Sequence, residues 1–353
     1  MNDESDKILF FNDLPDSYFI IHTSYFIIIY HSITKQLINS MQSRRQFLKT
    51  AAFAAPALST AMAACSTAVA ATGSKKLFFD ISIAEWSFHK ALFAKKMTNL
   101  DFPVKAKKDY DISIVEYVNQ FFKDKAKDAA YLKELMMRCN DNGVKNHLIM
   151  IDGEGFMGDA DATKRQKAIE NHYKWVECAK TLGCKTIRVN AHGEGTAEEV
   201  AKRCVESLRT LSEFGKQHNI NVIVENHGGY SSNGAWLTGV MKEVGMKNCG
   251  TLPDFGNFCL KRDSATFGKC LEEYDRYKGT AEMMPFAKGV SAKSHDFNET
   301  GDETHTDFLR MMKIVKDSGF KGIVGIEYEG SVLEEDEGVR RTLALLKKVG
   351  TMV

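Results

Sequence analysis

From residue 75 onward, short apolar runs alternate with longer amphipathic stretches, and this alternation narrows the fold more than any other feature of the chain. The apolar runs lie at 77–86, 113–118, 145–151, 185–190, 221–226, 250–255, 288–295 and 322–329. Between them, 124–142, 161–182, 196–218, 306–318 and 334–349 show helical spacing with charged outer faces. Three of these helices run into a glycine just before the next strand, at Gly143, Gly183 and Gly319, the residue type that ends helices in a left-handed turn. Strands alternating with helices pair in parallel, so eight such units over roughly 280 residues predict an α/β fold, a (β/α)8 TIM barrel spanning 75–353 as one domain. An open doubly wound sheet is the alternative. It usually places a glycine-rich phosphate turn after its first strand, and "EWSFHKAL" is not one.

Composition adds exclusions. A chain of 353 residues with 44% hydrophobic and 26% charged residues is an ordinary globular protein. A net charge of +1 provides no electrostatic footprint for nucleic acid. The eight cysteines (65, 139, 178, 184, 204, 249, 259 and 270) include no C-x-x-C pair and scatter through expected helices and strands. Buried structural thiols are the expectation, not a disulfide framework.

The stretch 41–74 differs in kind. "MQSRRQFLKTAAFAAPALSTAMAACSTAVAA" runs from twin arginines through a weakly apolar, alanine-rich segment to small residues, the layout of a cleaved export signal. It resembles a twin-arginine signal, which implies export to the periplasm. Ala68-x-Ala70 fits ordinary cleavage and a soluble product. Cys65 after "MAA" resembles a lipoprotein box and would anchor the protein to the membrane through lipid. Residues 1–40 precede this signal and read as an overextended reading frame, with translation expected from Met41.

In a (β/α)8 barrel the functional side chains stand at the C-terminal ends of the strands. The first strand ends in Glu85, Trp86 and His89, the second carries Glu116, and the third ends at Asp152 and Glu154. The fourth offers Arg188, Asn190 and His192, which alternate and so share one face. Glu225 and His227 follow on the fifth, Asp254 and Asn257 on the sixth. The seventh carries Ser291, Lys293 and His295, and the eighth Glu327 and Glu329. Glu225, Asp254, His295 and Glu327 therefore come from four adjacent strand ends. Three carboxylates and an imidazole converging without a cation would repel one another by several kcal/mol. One divalent metal resolves this, and mixed oxygen and nitrogen donors suit Mn, Co, Mg, Zn or Fe. Taken singly, each acid is as well explained by a salt bridge, and Lys293 is placed to neutralise one directly.

With these residues the chain resembles the xylose isomerase-like superfamily of sugar isomerases and epimerases. "AEWSFHKAL", "IRVNAHG", "VIVENHGG", "TLPDFGNF", "VSAKSHDF" and "VGIEYEG" carry the likeness, which covers 77–349. The resemblance implies that Glu225 and Glu327 bind the metal and exchange the substrate proton, and that Asp254 is a further ligand. Asn257 stands where the epimerases place a substrate-contacting histidine. Ser291 stands in the place of their histidine ligand, so the third ligand is His295, His227 or water. Lys293 is then an acid or oxyanion stabiliser, and Trp86, His89, Arg188, Asn190, His192, His227 and Asn257 are substrate-binding candidates. Trp86 and Phe258 are candidates for an apolar wall against a sugar ring. The chemistry implied is proton abstraction beside a carbonyl, through an enediolate, on a small carbohydrate. β-Elimination from a 3-keto-glycoside uses the same site, and a non-catalytic periplasmic sugar-binding barrel is the alternative of another class.

Overall fold

The computed structural model describes residues 76–263 and 269–353. The readings made for 1–40, for the signal at 41–74 and for Cys65 lie outside them. Eight parallel strands make the barrel wall. In chain order they are β1 (Asp80–Ala84), β2 (Ile114–Val118), β3 (Lys145–Met150), β4 (Thr186–Val189), β5 (Asn221–Glu225), β6 (Cys249–Leu252), β9 (Val290–Ser294) and β10 (Ile323–Tyr328). The sheet runs β6-β5-β4-β3-β2-β1-β10-β9. It closes between β6 and β9 through the parallel bridges Thr251–Ala287 and Asp254–Ser291. The structure thus has the expected architecture, with β9 and β10 as the seventh and eighth barrel strands.

Nine α-helices among the described residues follow the strands: α1 (His89–Phe93), α2 (Phe102–Tyr110), α3 (Ala129–Asp141), α4 (Ala162–Leu182), α5 (Ala197–His218), α6 (Gly234–Val244), α7 (Arg276–Met283), α8 (Phe308–Asp317) and α9 (Glu335–Met352). Their ends are written locally. Asp161 caps α4 by accepting from the Thr163 and Lys164 N–H groups, and Gly183 ends it at φ 76°. Thr196 and Glu199 form a reciprocal capping box at the start of α5.

Side chains alternate across each strand. Val222 and Val224 of β5, Ile187 and Val189 of β4, and Val324 and Ile326 of β10 point outward into the main core between sheet and helices. Their neighbours point into the lumen, where Ala84, Val118, Leu148, Met150, Ile223 and Leu252 form a small apolar plug. Charged residues also point into the lumen. Gly325 of β10 makes room for one of them, since a Cβ there would lie 2.9 Å from the Glu116 carboxylate.

One element was not anticipated. Between β6 and β9 the chain inserts an antiparallel hairpin, β7 (Cys259–Arg262) and β8 (Cys270–Glu273). A Cys259–Cys270 disulfide joins its strands. This corrects the expectation of thiols throughout: Cys139, Cys178, Cys184, Cys204 and Cys249 are free and buried, but this pair is oxidised. Phe258 needs a second correction. It is fully buried and packs beside Gly279, so it cannot form the wall of a sugar pocket.

Candidate active site

The C-terminal strand ends bring Glu225, Asp254 and Glu327 together, with ligand oxygens within 4.8 Å of one another and all three side chains buried. Each is held by identifiable neighbours. Ser291 donates its hydroxyl to Asp254 Oδ2 at 2.6 Å and stands 3.2 Å from Glu327 Oε2. Lys293 Nζ reaches Glu327 Oε1 at 2.7 Å and Glu329 Oε2 at 2.8 Å. Backbone N–H groups of Gly256 and Asn257 donate to Asp254 Oδ1. Asn257 Nδ2 donates to Glu225 Oε1 at 3.0 Å.

Arg188 is the second cation. Its Nη1 donates to Asp152 Oδ1 at 2.7 Å, and Asn190 donates to the same oxygen. Arg188 Nε lies 2.8 Å from Glu225 Oε2, but each atom lacks a hydrogen-bond partner among the described residues. The N–H is aimed off the oxygen, so the contact is Coulombic and not a hydrogen bond. Trp86 closes one side, donating from Nε1 to Glu329 Oε1 at 2.9 Å. Glu116 lies on the same lumen face and accepts from the Ser82 hydroxyl at 2.6 Å.

Six carboxyl groups (Glu116, Asp152, Glu225, Asp254, Glu327 and Glu329) thus surround two cations, Arg188 and Lys293. The imbalance sets their acidities. Burial pushes Glu225 up to about 7, with Arg188 opposing and Glu327 reinforcing the shift. Burial likewise lifts Glu116 to about 7 and holds Asp254 well above the usual carboxylate range. Glu329 goes the other way, to about 2, because Lys293 more than offsets its burial. Burial works against the Lys293 ammonium, yet Glu327, Asp254, Glu329 and Glu225 keep its pKa well above the ordinary lysine value. Burial depresses His192 and His227 to about 4, which leaves both neutral at pH 7.

A protein with this much buried acid can release protons in exchange for a cation. Glu225, Asp254 and Glu327 fit one: they are buried and convergent, and Glu225 Oε2 has no hydrogen-bond donor. The donor set is all oxygen, which matches hard cations such as Mg2+ or Mn2+ better than thiolate- or imidazole-seeking ions.

The structure sorts the other candidates. Arg188 and Asn257 contact Glu225 directly, and Asn190 reaches the acid centre only through Asp152 and Arg188. His227 is half-buried near Arg188 and Asp152, and its ring lies 6.2 Å from that of His192. His192 opens onto a cleft with Tyr230, Trp236, Lys261 and Glu272 on its walls. His89 stacks under Trp86 at 4.9 Å, and its Nδ1 lies 2.8 Å from the Trp86 carbonyl oxygen, so it supports the tryptophan from outside the centre. His295 is not brought to the three acids; it groups with Glu303 and His305. Glu116, Asp152, Ser291 and Glu329 were visible as strand-end polar residues, but the sequence reading gave none of them a site role. For Glu329 the signal was present: it follows Glu327 by two residues and so shares its face.

The family model for the xylose isomerase-like TIM barrel matches residues 104–349. Among curated proteins none matches the chain. Solved structures similar to it include the IOLI protein with a zinc atom bound (15% identity, TM-score 0.58, 78% of this chain and 99% of that one). An L-ribulose 3-epimerase aligns at 13% identity and TM-score 0.59, over 78% of this chain and 95% of its own. The 3-keto-D-glucoside 4-epimerase of E. coli aligns at 14% identity and TM-score 0.55, over 76% and 99%. At such identities the likeness establishes the fold, and together with the family match it makes the chain a member of the xylose isomerase-like TIM barrel family.

Proposed function

We propose that the chain is a sugar isomerase or epimerase that moves a proton on a carbon beside a carbonyl. One observation carries this: Glu225 and Glu327 converge in the lumen with Asp254, and Lys293 rests on Glu327. Two carboxylates close to one another provide a base to remove a proton and an acid to return it. Glu225 takes the proton in this reading, and Glu327 or Lys293 returns it on the opposite face or at the neighbouring carbon. The Lys293 ammonium also faces the enediolate oxygen that develops meanwhile, and in a water-poor lumen its charge acts at short range. A divalent cation held by Glu225, Asp254 and Glu327 would supply Lewis acidity that acidifies the C–H bond. In this reading Arg188, Asn190, Asn257, His192 and His227 hold sugar hydroxyls, and Trp86 supports the ring.

A second reading, β-elimination from a 3-keto-glycoside, has its own support. The cleft beyond His192 offers an aromatic pair, Tyr230 and Trp236 with ring centroids 5.8 Å apart, where a second sugar ring can stack. Export through a twin-arginine signal is part of the same proposal, and the Cys259–Cys270 disulfide fits an oxidising compartment.

The test is solvent exchange. Ketoses and 3-keto-glycosides incubated in deuterium oxide should gain deuterium at the carbon beside the carbonyl, with Glu225→Gln and Glu327→Gln both inactive. Tight sugar binding without exchange in the parent protein would instead identify a binding barrel.

A further inference from the structure

The loop leaving β9 carries a second group of metal-competent side chains. Asn298 accepts from the Thr300 and Asp302 N–H groups through its side chain, and an antiparallel bridge joins Phe297 to Glu303. This folds the loop back, so Glu303 comes under His295 although eight residues separate them. Ligand atoms of His295, Glu303 and His305 all lie within 4.8 Å of one another.

The carboxylate is fixed by the backbone and not by a cation. Glu303 has 1% of its side chain exposed. Its Oε2 accepts from the N–H groups of His305 and Thr306, and its Oε1 accepts from the N–H of His295 at 3.2 Å. Oε1 also lies 3.1 Å from His305 Nδ1. That accounts for Glu303 and one imidazole. The His295 ring sits 5.2 Å from the His305 ring and makes no hydrogen bond among the described residues. The half-buried His295 ring thus keeps its nitrogens available as ligands beside the Glu303–His305 pair.

We propose that His295, Glu303 and His305 bind a second divalent cation, one of borderline softness such as zinc, separate from the Glu225–Asp254–Glu327 centre. Two imidazole nitrogens and one carboxylate oxygen are a donor set zinc favours, and three protein ligands leave a coordination position for water or a substrate hydroxyl. Hydrogen bonds from the backbone to Glu303 supply the outer support that orients a ligand. The site borders the reaction centre. A Cβ on Gly256 would lie 2.9 Å from Lys293 Cδ and 3.2 Å from His295 Cε1, so both side chains line one wall. A cation there would add positive charge at the barrel mouth where a sugar enters.

The experiment is zinc titration of the metal-stripped full chain, with cobalt substitution as a spectroscopic readout, on three proteins: the parent, His295→Ala/His305→Ala, and Glu225→Gln/Asp254→Asn. The carboxylate variant should still take up zinc, while the histidine variant should take up one equivalent less than the parent. Cobalt in a four-coordinate imidazole site absorbs strongly in the visible, whereas cobalt among six oxygens absorbs faintly, so the intense bands should vanish with the histidines alone. His305→Ala by itself, at a side chain 51% exposed, preserves the fold and should weaken zinc binding by about tenfold or more. Zinc uptake and cobalt bands unchanged by losing the histidines would overturn the proposal, as would a parent that binds no zinc at micromolar concentration.

Discussion

The acid centre and the loop cluster lie side by side on one barrel rim yet are built in opposite ways. Glu225 and Glu327 stand on rigid parallel strands and Asp254 sits just past β6 in the parallel bridge to Ser291, so the barrel wall fixes their separation and burial, and the charge must be met by other side chains. Arg188 and Lys293 meet it in part. Glu303 stands on a loop, and backbone N–H groups that would otherwise lack partners hold its carboxylate. A strand site is thus electrostatically loaded and depends on its cations. A loop site is satisfied locally and can lose a side chain at little expense to the fold.

The contrast would break first at the chemistry. Glu327→Gln should lower deuterium exchange by about 10²–10⁴-fold, the usual contribution of a positioned acid or base. His305→Ala should leave exchange within a few-fold of the parent when no zinc is present. Equal losses from both variants, measured by NMR on the same ketose, would mean the two clusters form one machine.

Stability gives the next largest separation. Lys293→Met removes the only cation touching Glu327 and Glu329 among the described residues and strands two carboxyls against an apolar methylene chain. Breaking a buried pair in this way costs about 3–5 kcal/mol, readable as a shift in urea midpoint. Added Mg2+ or Mn2+ should recover part of that loss by drawing on the same acids. Failure of either ion to do so would leave Lys293 as the only counter-charge the centre accepts.

How far the sequence went follows the same division. Strand-end residues are legible because a (β/α)8 barrel puts its functional side chains at the C-terminal ends of its strands, and Glu225, Asp254 and Glu327 were selected on that ground. His295 alternates with Ser291 and Lys293 and reads as the end of the seventh strand, which is why it was grouped with the acids. It lies just past the last residue of β9, where the chain has left the sheet, so its direction is set by the loop. Glu303 and His305 had no periodic pattern to announce them. The β7–β8 hairpin was hidden for a similar reason: its strands are only four residues each, and Cys259 and Cys270 become partners only once those strands pair.

Glu85 isolates burial from both kinds of neighbour. It is fully buried at the end of β1, accepting from Asn99 Nδ2 at 2.9 Å and the Val118 N–H at 3.0 Å, and burial lifts its pKa from 4.5 to about 8. Between those values the folded protein keeps a proton the unfolded chain has released. The unfolded state then binds fewer protons, so this group's contribution to stability falls as pH rises through that window. The slope is at most roughly 1.4 kcal/mol per pH unit. Glu85→Gln forfeits one of the two hydrogen bonds but cannot titrate. Urea unfolding at pH 5, 6, 7 and 8 should therefore show the variant gaining on the parent with each step. A constant difference would mean that Glu85 is ionised in the fold, with Asn99 and Val118 outweighing its burial.

The smallest expected effect is the most discriminating for the loop. Without metal, His305→Ala should change unfolding free energy by no more than about 0.5 kcal/mol, because the side chain is half exposed and Glu303 keeps its backbone donors. Zinc at a hundred times the parent's dissociation constant should then stabilise the parent by about 2.7 kcal/mol and the variant, which binds at least about tenfold more weakly, by no more than about 1.4 kcal/mol, since only a ligand bound to the folded state contributes. If the metal-free variant already loses 2 kcal/mol or more, His305 is a structural partner of Glu303, and the loop shares the strand centre's dependence on its charged neighbours.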